Sequence, residues 1–272
     1  TKELAISTRN PSTPLSNQKE MMFLITIQNE YLSASFKRYG AELSSLIDLQ
    51  TNREYIWSGD SAFWTGQAPI LFPMCGRLLN DQYVFNGTDY FMPKHGFARK
   101  SDFEIASQEA TKVDFVLMAS DETKRCFPFE FAFHAVFELK GKSLVTTYYV
   151  ENKDDKTMYF SLGGHPAFNC GMGDVVRFDE IEDVSTYLFD TSSIRIGEKI
   201  CLDHARDITI TEHVFDNDAL LLHGLKSTGC ELVDKEGKRI VRMDFGKPSC
   251  LGIWSKPGAP YVCLEPWLGI ND

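Results

Sequence analysis

The chain has 272 residues, a net charge of −10 at pH 7 and a pI near 5.1. This acidic balance argues against nucleic acid or an anionic membrane as a partner, because both require a basic surface. No apolar run reaches the roughly 20 residues needed to span a bilayer. The first twenty residues contain no apolar stretch of the kind found in secretory signals. We therefore expect a cytoplasmic protein.

Seven cysteines are spread along the chain, and none forms a Cys-X-X-Cys pair. This spacing indicates neither a zinc site nor a disulfide scaffold, so we interpret the cysteines as reduced thiols. Cys201 and His204 are three residues apart, but no second pair of ligands accompanies them. The sequence therefore predicts no metal site.

The N-terminal segment differs in composition from the rest of the chain. Residues 1–20 are rich in Ser, Thr, Asn and Pro, and we expect them to form an extension outside the fold. The paired residues Met21 and Met22 are a natural point for the domain to begin. No repeat or interdomain linker follows, so residues 21–272 are predicted to form one domain.

Alternation of apolar and polar residues dominates the patterning from there on. Asn86-Gly87 lies between two short apolar runs, which is a strong signal for a β-hairpin. Residues 131–139 and 144–151 alternate with period two and are predicted to be neighbouring strands. Amphipathic helices are scarce, and the best candidates are short pieces at 60–64 and 211–215. The sequence predicts an all-β, mostly antiparallel fold, most simply a large sandwich with few short helices.

Two segments place a proton-handling side chain at the end of an apolar run and follow it with proline. His165 precedes Pro166 within LGGHPAFN, and Glu265 precedes Pro266 within VCLEPW. Proline removes a backbone donor and holds the preceding residue in extended geometry, so both side chains are expected at strand ends. A histidine and a carboxylate held in this way are suited to paired general acid and general base chemistry.

The residues near His165 and Glu265 indicate which face of each strand carries these side chains. An extended strand over residues 159–165 would place His165 on the same face as Gly163, which leaves space beside the ring. Glu265 is expected to share a face with Cys263. A carboxylate at the end of so apolar a run is costly to bury unless it is paired or functional.

Two further basic residues stand among glycine, proline and aromatic residues. Arg77 ends the segment LFPMCGR and either extends to the surface or finds buried partners. His95 precedes Gly96, so it fits a turn histidine as well as a functional one. The sequence contains no phosphate-binding loop, dinucleotide fingerprint, zinc-protease helix or nucleophile elbow.

Four of these segments occur together in one known family. FPMCGR at 72–77, HGF at 95–97, GHPAFN at 164–169 and LEPW at 264–267 appear in the order found there. On these motifs, from about Met22 onward, the chain resembles the aldose 1-epimerase (galactose mutarotase) family, and it is most similar to its LacX-type branch. The resemblance implies a large antiparallel β-supersandwich, in agreement with the strand pattern.

The resemblance also implies an activity, the interconversion of the α and β anomers of an aldose without metal or cofactor. By the family's motifs, His165 matches the general acid and Glu265 the general base. An aromatic ring, from Phe168 or Trp267, would pack on the apolar face of the sugar. The acid must be protonated while the base is ionised, so the family mechanism predicts pKa values in that order.

The remaining sugar contacts are implied in the same way. Arg77 and His95 match the family's sugar-contacting arginine and first histidine. An aspartate before a late strand matches either Asp218 or Asp216, and the sequence alone leaves both open. The chain ends at Asp272, whereas members of the family usually continue for a further strand or two, which predicts a sequence incomplete at its C-terminus.

Two other functions remain open at this stage. A hexose-6-phosphate 1-epimerase would need a basic cluster at the pocket, and only Lys94 and Arg99 lie near His95 in the sequence. A sugar-binding protein without turnover would use the same pocket, because fold similarity does not establish activity. The partner in each case is a small sugar, and the protein is expected to be a monomer or a homodimer.

Overall fold

A computed structural model describes residues 24–270 of the chain. The predicted extension at 1–20, the predicted domain start at Met21 and Met22, and the last two residues lie outside the described part. None of the helices within it has the length and apolarity needed to span a bilayer.

Residues 24–270 contain twenty strands and very little helix. In chain order the strands are β1 (Leu24–Gln28), β2 (Leu32–Lys37), β3 (Glu42–Asp48), β4 (Arg53–Glu54), β5 (Ile70–Leu71), β6 (Gln82–Phe85), β7 (Thr88–Phe91), β8 (Glu104–Gln108), β9 (Lys112–Met118), β10 (Phe131–Lys140), β11 (Ser143–Asn152), β12 (Leu162–Gly164), β13 (Ala167–Asn169), β14 (Val175–Phe189), β15 (Arg195–Thr209), β16 (Leu220–Leu222), β17 (Gly229–Val233), β18 (Arg239–Asp244), β19 (Cys250–Trp254) and β20 (Tyr261–Leu268). The helical segments are α1 (Asp121–Lys124) and the two 3-10 turns Leu79–Asp81 and Ala98–Lys100.

These strands form four sheets, and every paired strand within residues 24–270 runs antiparallel to its neighbours. The largest sheet has the order β18-β17-β14-β16-β19-β20-β12-β5, with β13 joined to β20 and β15 joined to β14. Two four-stranded sheets, β1-β2-β3-β4 and β11-β10-β9-β8, and the hairpin β6-β7 complete the fold. The prediction of a large antiparallel β fold with few short helices is therefore confirmed.

The predicted hairpins and alternating strands form as expected. Asn86 and Gly87 join β6 to β7 with φ angles of 50° and 78°, the left-handed geometry that a two-residue hairpin turn requires. Strands β10 and β11 pair along their whole lengths. The alternate residues of β10 that were predicted to share a face are all buried, because they point into the core between the sheets.

Three local predictions were wrong. Residues 60–64 form one turn rather than a helix: Phe63 and Trp64 donate their backbone N–H groups to the Asp60 carbonyl oxygen, but the chain beyond them bonds elsewhere, as the Gln67 N–H does to the Glu42 carboxylate. Residues 211–215 likewise form hydrogen-bonded turns. The strand before His165 is shorter than predicted, since β12 begins at Leu162 and Tyr159 is 69% exposed.

A cluster of phenylalanines connects the core to the segment after β5. Phe72 is fully buried and stacks on Phe133 of β10 with the ring centroids 4.4 Å apart. Its carbonyl oxygen accepts the backbone N–H groups of Phe97 and Ala98. The core therefore fixes the backbone of residues 72–77 and, through it, the loop that carries His95.

Candidate active site

Glu265 lies in β20, near the middle of the large sheet. Its cross-strand partner in β19 is Gly252. A Cβ atom at Gly252 would lie 3.1 Å from the Glu265 Cβ and 3.1 Å from the Leu221 side chain, so the glycine leaves the space that the carboxyl group occupies. Glu265 is only 2% exposed. The sheet thus presents an almost fully buried carboxyl group from a strand that is bonded on both sides.

His165 directly follows β12, the other neighbour of β20. Its backbone N–H donates to the Pro69 carbonyl oxygen, and β12 pairs with β20 through Gly163 and Trp267. These bonds bring the His165 Nε2 atom to 3.2 Å from the Glu265 Oε2 atom. The two residues that the sequence singled out are therefore in direct contact, although about a hundred positions separate them.

Aromatic rings enclose the His165 imidazole. Trp64 lies against it with the ring centroids 5.1 Å apart and the planes 30° apart. Trp254 and His95 approach edge-on, each with a centroid distance of 5.9 Å. These rings restrict the rotation of the imidazole and exclude water from it. Sequence reasoning missed Trp64 and Trp254, and no local signal marks either of them.

His95 has a defined tautomer. Its Nδ1 atom accepts the Gly76 N–H at 3.1 Å, and its own backbone N–H donates to the Gly76 carbonyl oxygen at 2.7 Å. Because Nδ1 is an acceptor, the ring proton resides on Nε2, which is free to donate a hydrogen bond. Burial holds the pKa of His95 well below its usual range, so the ring stays neutral.

A cleft of about 230 Å³ opens over these groups. Five of the residues predicted from the sequence line it: His95, His165, Asp218, Glu265 and Trp267. The other lining residues are Trp64, Lys94, Arg99, Phe189, Ser193, Ala219, Leu221 and Trp254. Residues from the large sheet and from several connections therefore converge on one cleft.

Three predicted contacts do not lie in the cleft wall formed by the described residues. The Arg77 guanidinium binds Asp81, with Nε 2.7 Å from Oδ1. Asp216 is half exposed and lies 2.9 Å from the His213 ring. Phe168 is buried in the apolar core. Of the two candidate aspartates, the structure brings only Asp218 to the cleft.

The acid–base pair does not hold its pKa values in the predicted order. Burial lowers the pKa of His165 to about 3, and the positive charges of Arg99 and Lys94 act in the same direction. Burial raises the pKa of Glu265 well above its usual range, and the negative charge of Asp218 adds to this. The physical reason is that burial disfavours the charged form of each group.

The direct contact nevertheless makes the two residues a one-proton pair. Near neutral pH the proton belongs on Glu265, and it can move along the 3.2 Å contact to His165. In either position one group can donate a proton while the other can accept one. The Trp267 indole N–H lies near the carboxyl group and favours its ionised form, although it falls short of hydrogen-bond geometry. The pair thus has the composition that concerted acid–base chemistry requires.

The same pair belongs to a set of potential metal ligands. His165, Cys263 and Glu265 each offer one ligand atom, and these atoms lie within 4.8 Å of one another. Thiolate is the form that binds metal, however, and burial raises the pKa of Cys263 well above its usual range. Cys263 also packs in an apolar cluster with Trp57 and Tyr261. The environment of the thiol therefore opposes its use as a ligand.

Two cations, Lys94 and Arg99, also line the cleft. The Lys94 Nζ atom is 3.2 Å from the Ser193 hydroxyl, and Arg99 donates from Nη2 to the Lys94 carbonyl oxygen at 2.9 Å. Within residues 24–270, neither cation forms an ion pair with a carboxylate. Both remain available to an incoming polar or negatively charged group.

The family model described as aldose 1-epimerase matches residues 24–266. The chain belongs to the aldose 1-epimerase family. The chromosomal LacX protein of Lactococcus lactis subsp. lactis is 32% identical over 91% of this chain and 88% of its own length. The predicted membership in the aldose 1-epimerase family, close to LacX, is therefore confirmed.

Solved structures of similar proteins agree with this assignment. A galactose mutarotase related enzyme from Lactobacillus acidophilus superposes with a TM-score of 0.86 and 30% identity, covering 92% of this chain and 87% of its own. A galactose mutarotase-like protein from Lactobacillus casei gives the same TM-score and identity, with 92% and 89% covered. The antiparallel fold of this aldose 1-epimerase family member is thus shared with mutarotase-like proteins.

Proposed function

We propose that this protein interconverts the α and β anomers of an aldose by acid–base catalysis at His165 and Glu265. The observation that carries the proposal is the 3.2 Å contact between these side chains inside a small, aromatic-walled cleft. Family membership supports the same reaction. His95, through its Nε2–H, and Asp218 supply a donor and an acceptor for sugar hydroxyl groups, and the Trp267 ring offers an apolar surface.

The reaction needs one protonated group that donates a proton and one unprotonated group that accepts one. With the proton on His165, Glu265 takes the proton of the anomeric hydroxyl while His165 donates to the ring oxygen. The bond between C1 and the ring oxygen breaks, and a neutral open-chain aldehyde forms. After rotation about the C1–C2 bond, the former ring oxygen attacks the other face of the aldehyde. The two residues then exchange roles, so the site returns to its starting proton count.

Polarimetry on freshly dissolved α-D-glucose and α-D-galactose tests the proposal. The wild-type protein should accelerate the approach to anomeric equilibrium above the buffer rate, since each assisted proton transfer contributes roughly 10²–10⁴-fold. Binding of a sugar without acceleration would instead indicate a sugar-binding protein. No effect on either sugar would contradict simple aldose epimerisation.

The one-proton pair predicts a broad pH profile. As pH falls toward about 3, the pair gains a second proton, on His165, and no longer has an acceptor, so the rate should fall. As pH rises through the raised pKa of Glu265, the pair loses its donor and the rate should fall again. Between these limits kcat/KM should be flat through neutral pH. A single ionisation at the ordinary histidine pKa of 6.5 would contradict the paired assignment.

A hexose-6-phosphate 1-epimerase is a second candidate, because Lys94 and Arg99 both line the cleft. Their positive charges lie on the same cleft as the acid–base pair and lack carboxylate partners among the described residues. The same polarimetric assay on glucose 6-phosphate and galactose 6-phosphate separates the two. A preference for the neutral sugars would exclude this alternative.

A further inference from the structure

A second and larger cleft adjoins the candidate active site. Its volume is about 720 Å³, and its lining shares Trp64 and Arg99 with the first cleft. The remaining wall comes from residues 37–42, 65–69 and 100–102, which are distant from the acid–base pair in the sequence. One aromatic ring and one guanidinium group therefore border both clefts.

The sizes of the two clefts suggest different occupants. Sites for small molecules usually measure roughly 300–1,000 Å³. The first cleft, at about 230 Å³, holds a single sugar ring and little more. A second unit attached to that ring would have to leave the first cleft, and the adjoining one has the volume to receive it. Tyr39 and Trp64 offer ring surfaces there against which an apolar sugar face can pack.

The charges of the second cleft are unusual for so acidic a protein. Four cations line it, whereas its acidic residues are Glu42 and Asp102. Glu42 is already satisfied, because it pairs with Lys37 at 3.2 Å and accepts backbone N–H groups of residues 67 and 68. Asp102 is largely exposed and lies 3.7 Å from Arg38, a weak contact. The two acids therefore leave the cleft with excess positive charge.

Arg99 and Lys100 carry most of that excess. Neither forms an ion pair with a carboxylate within residues 24–270. The Arg99 Nε–H is buried without a hydrogen-bond acceptor in the described structure, and burial lowers the pKa of its guanidinium. A buried donor of this kind is costly unless a ligand satisfies it. Arg99 also lines both clefts, so it would contact a molecule that spans them.

We propose that the substrate is a reducing disaccharide whose non-reducing unit carries a negatively charged group, phosphate or carboxylate. This rests on the proposed function, because the acid–base pair fixes the reducing end in the first cleft. The chain of the substrate passes Arg99, and its charged group lies in the second cleft near Arg38 and Lys100. A planar guanidinium and a lysine suit either anion.

Three compounds test the proposal: cellobiose, its phosphate ester on the primary hydroxyl of the non-reducing ring, and the uronic acid formed at that same carbon. Calorimetry gives Kd for each, and polarimetry gives kcat/KM for its anomerisation. Both charged compounds should bind the wild-type protein at least about tenfold more tightly than cellobiose. The ratio between the phosphate and the uronate shows which anion the cleft prefers.

Two double variants test whether the second cleft, rather than the first, binds the charged group. The double variant Arg38→Gln/Lys100→Gln should lose most of the preference for charged disaccharides, about tenfold, and should weaken the binding of cellobiose much less. Lys235→Gln/Lys238→Gln removes the same charge from an exposed turn outside both clefts, and it should change nothing. Because all four side chains are at the surface, each variant should fold, and thermal unfolding checks this.

The outcomes distinguish this proposal from the proposed function. Equal affinity for charged and neutral disaccharides would overturn the proposal while acceleration of sugar anomerisation still stood. A preference for glucose 6-phosphate over glucose, without any preference among the disaccharides, would place the anion within the first cleft and would also overturn it. If no sugar is turned over, the proposed function fails, and the calorimetric preference and its loss in the double variant still decide whether the cleft binds the charged unit.

Discussion

Replacing Glu265 with glutamine should slow catalysis strongly and stabilise the fold above pH 4.5. Glutamine has nearly the same shape but cannot carry a proton, so we expect the rate of anomer interconversion to fall by roughly 10²–10⁴-fold. Glutamine also removes a carboxyl group that burial forces to stay protonated. We expect a gain of roughly 1–3 kcal/mol in the free energy of unfolding at alkaline pH.

The stability gained by Glu265→Gln should depend on pH. The pKa of Glu265 is raised in the folded state, so the folded protein holds this proton more tightly than the unfolded chain. The wild-type protein therefore loses stability as pH rises from the ordinary glutamate pKa of 4.5 through the raised value. The variant lacks this loss. Its advantage should be absent below pH 4.5 and should grow with pH, as measured by chemical denaturation.

Glu182 provides a matched control. It is also fully buried, but its carboxylate accepts the backbone N–H groups of Lys226 and Ser227 at 3.0 and 2.7 Å, and it lies outside the cleft. Glu182→Gln should therefore lower stability and leave activity unchanged. Equal stability changes at Glu265 and Glu182 would refute the argument that burial opposes the ionised form of Glu265. His165→Asn should lose activity to a similar extent as Glu265→Gln, since either change leaves the pair incomplete.

The second large effect is expected at Gly96. Its φ angle is +68°, and a Cβ atom there would lie 2.2 Å from the Phe72 carbonyl oxygen and 2.7 Å from the Pro73 nitrogen. Both contacts are with backbone atoms that the core holds in place. Gly96→Ala should destabilise the fold by about 3–5 kcal/mol, from left-handed strain and forced displacement together. It should also displace His95, and any folded fraction should bind sugar more weakly.

Gly87→Ala is a control that separates left-handed backbone strain from the displacement of neighbouring atoms. Its φ angle is +78°, and a Cβ atom there would meet nothing within 4 Å. Gly87→Ala therefore carries only the conformational cost, about 1 kcal/mol. Equilibrium unfolding in urea measures both variants. A cost at Gly96 no greater than that at Gly87 would show that residues 72–73 yield easily and do not hold the His95 loop.

The parts of the fold that could be predicted have local signals. Asn86-Gly87 encodes a tight turn by its own backbone preferences, and β10 and β11 alternate apolar and polar residues with the period of a strand. The incorrect helix at 60–64 shows the limit of the same approach. There one turn forms on the Asp60 carbonyl oxygen, but the bond from Gln67 to the distant Glu42 carboxylate draws the following chain away from a helix.

The candidate site could be predicted only in part. The prolines after His165 and Glu265 mark both strand ends, but the contact between the two follows from the pairing of β12 with β20, which no local pattern encodes. The same holds for Trp64, which reaches the site from a distant turn. Arg77 is the opposite case. It stands out in the sequence, but its guanidinium binds Asp81, four residues later, and does not line the cleft.

The division between strands and connections around the cleft has an evolutionary consequence. Glu265 projects from a strand bonded on both sides, and its space depends on the missing side chain of Gly252. Lys94, Ser193 and Asp218 instead lie on connections between strands. Mutations in those connections can alter which molecule is recognised while the backbone bonds of the sheet stay intact. Changes in these three segments can therefore alter ligand recognition while the contact between His165 and Glu265 is kept.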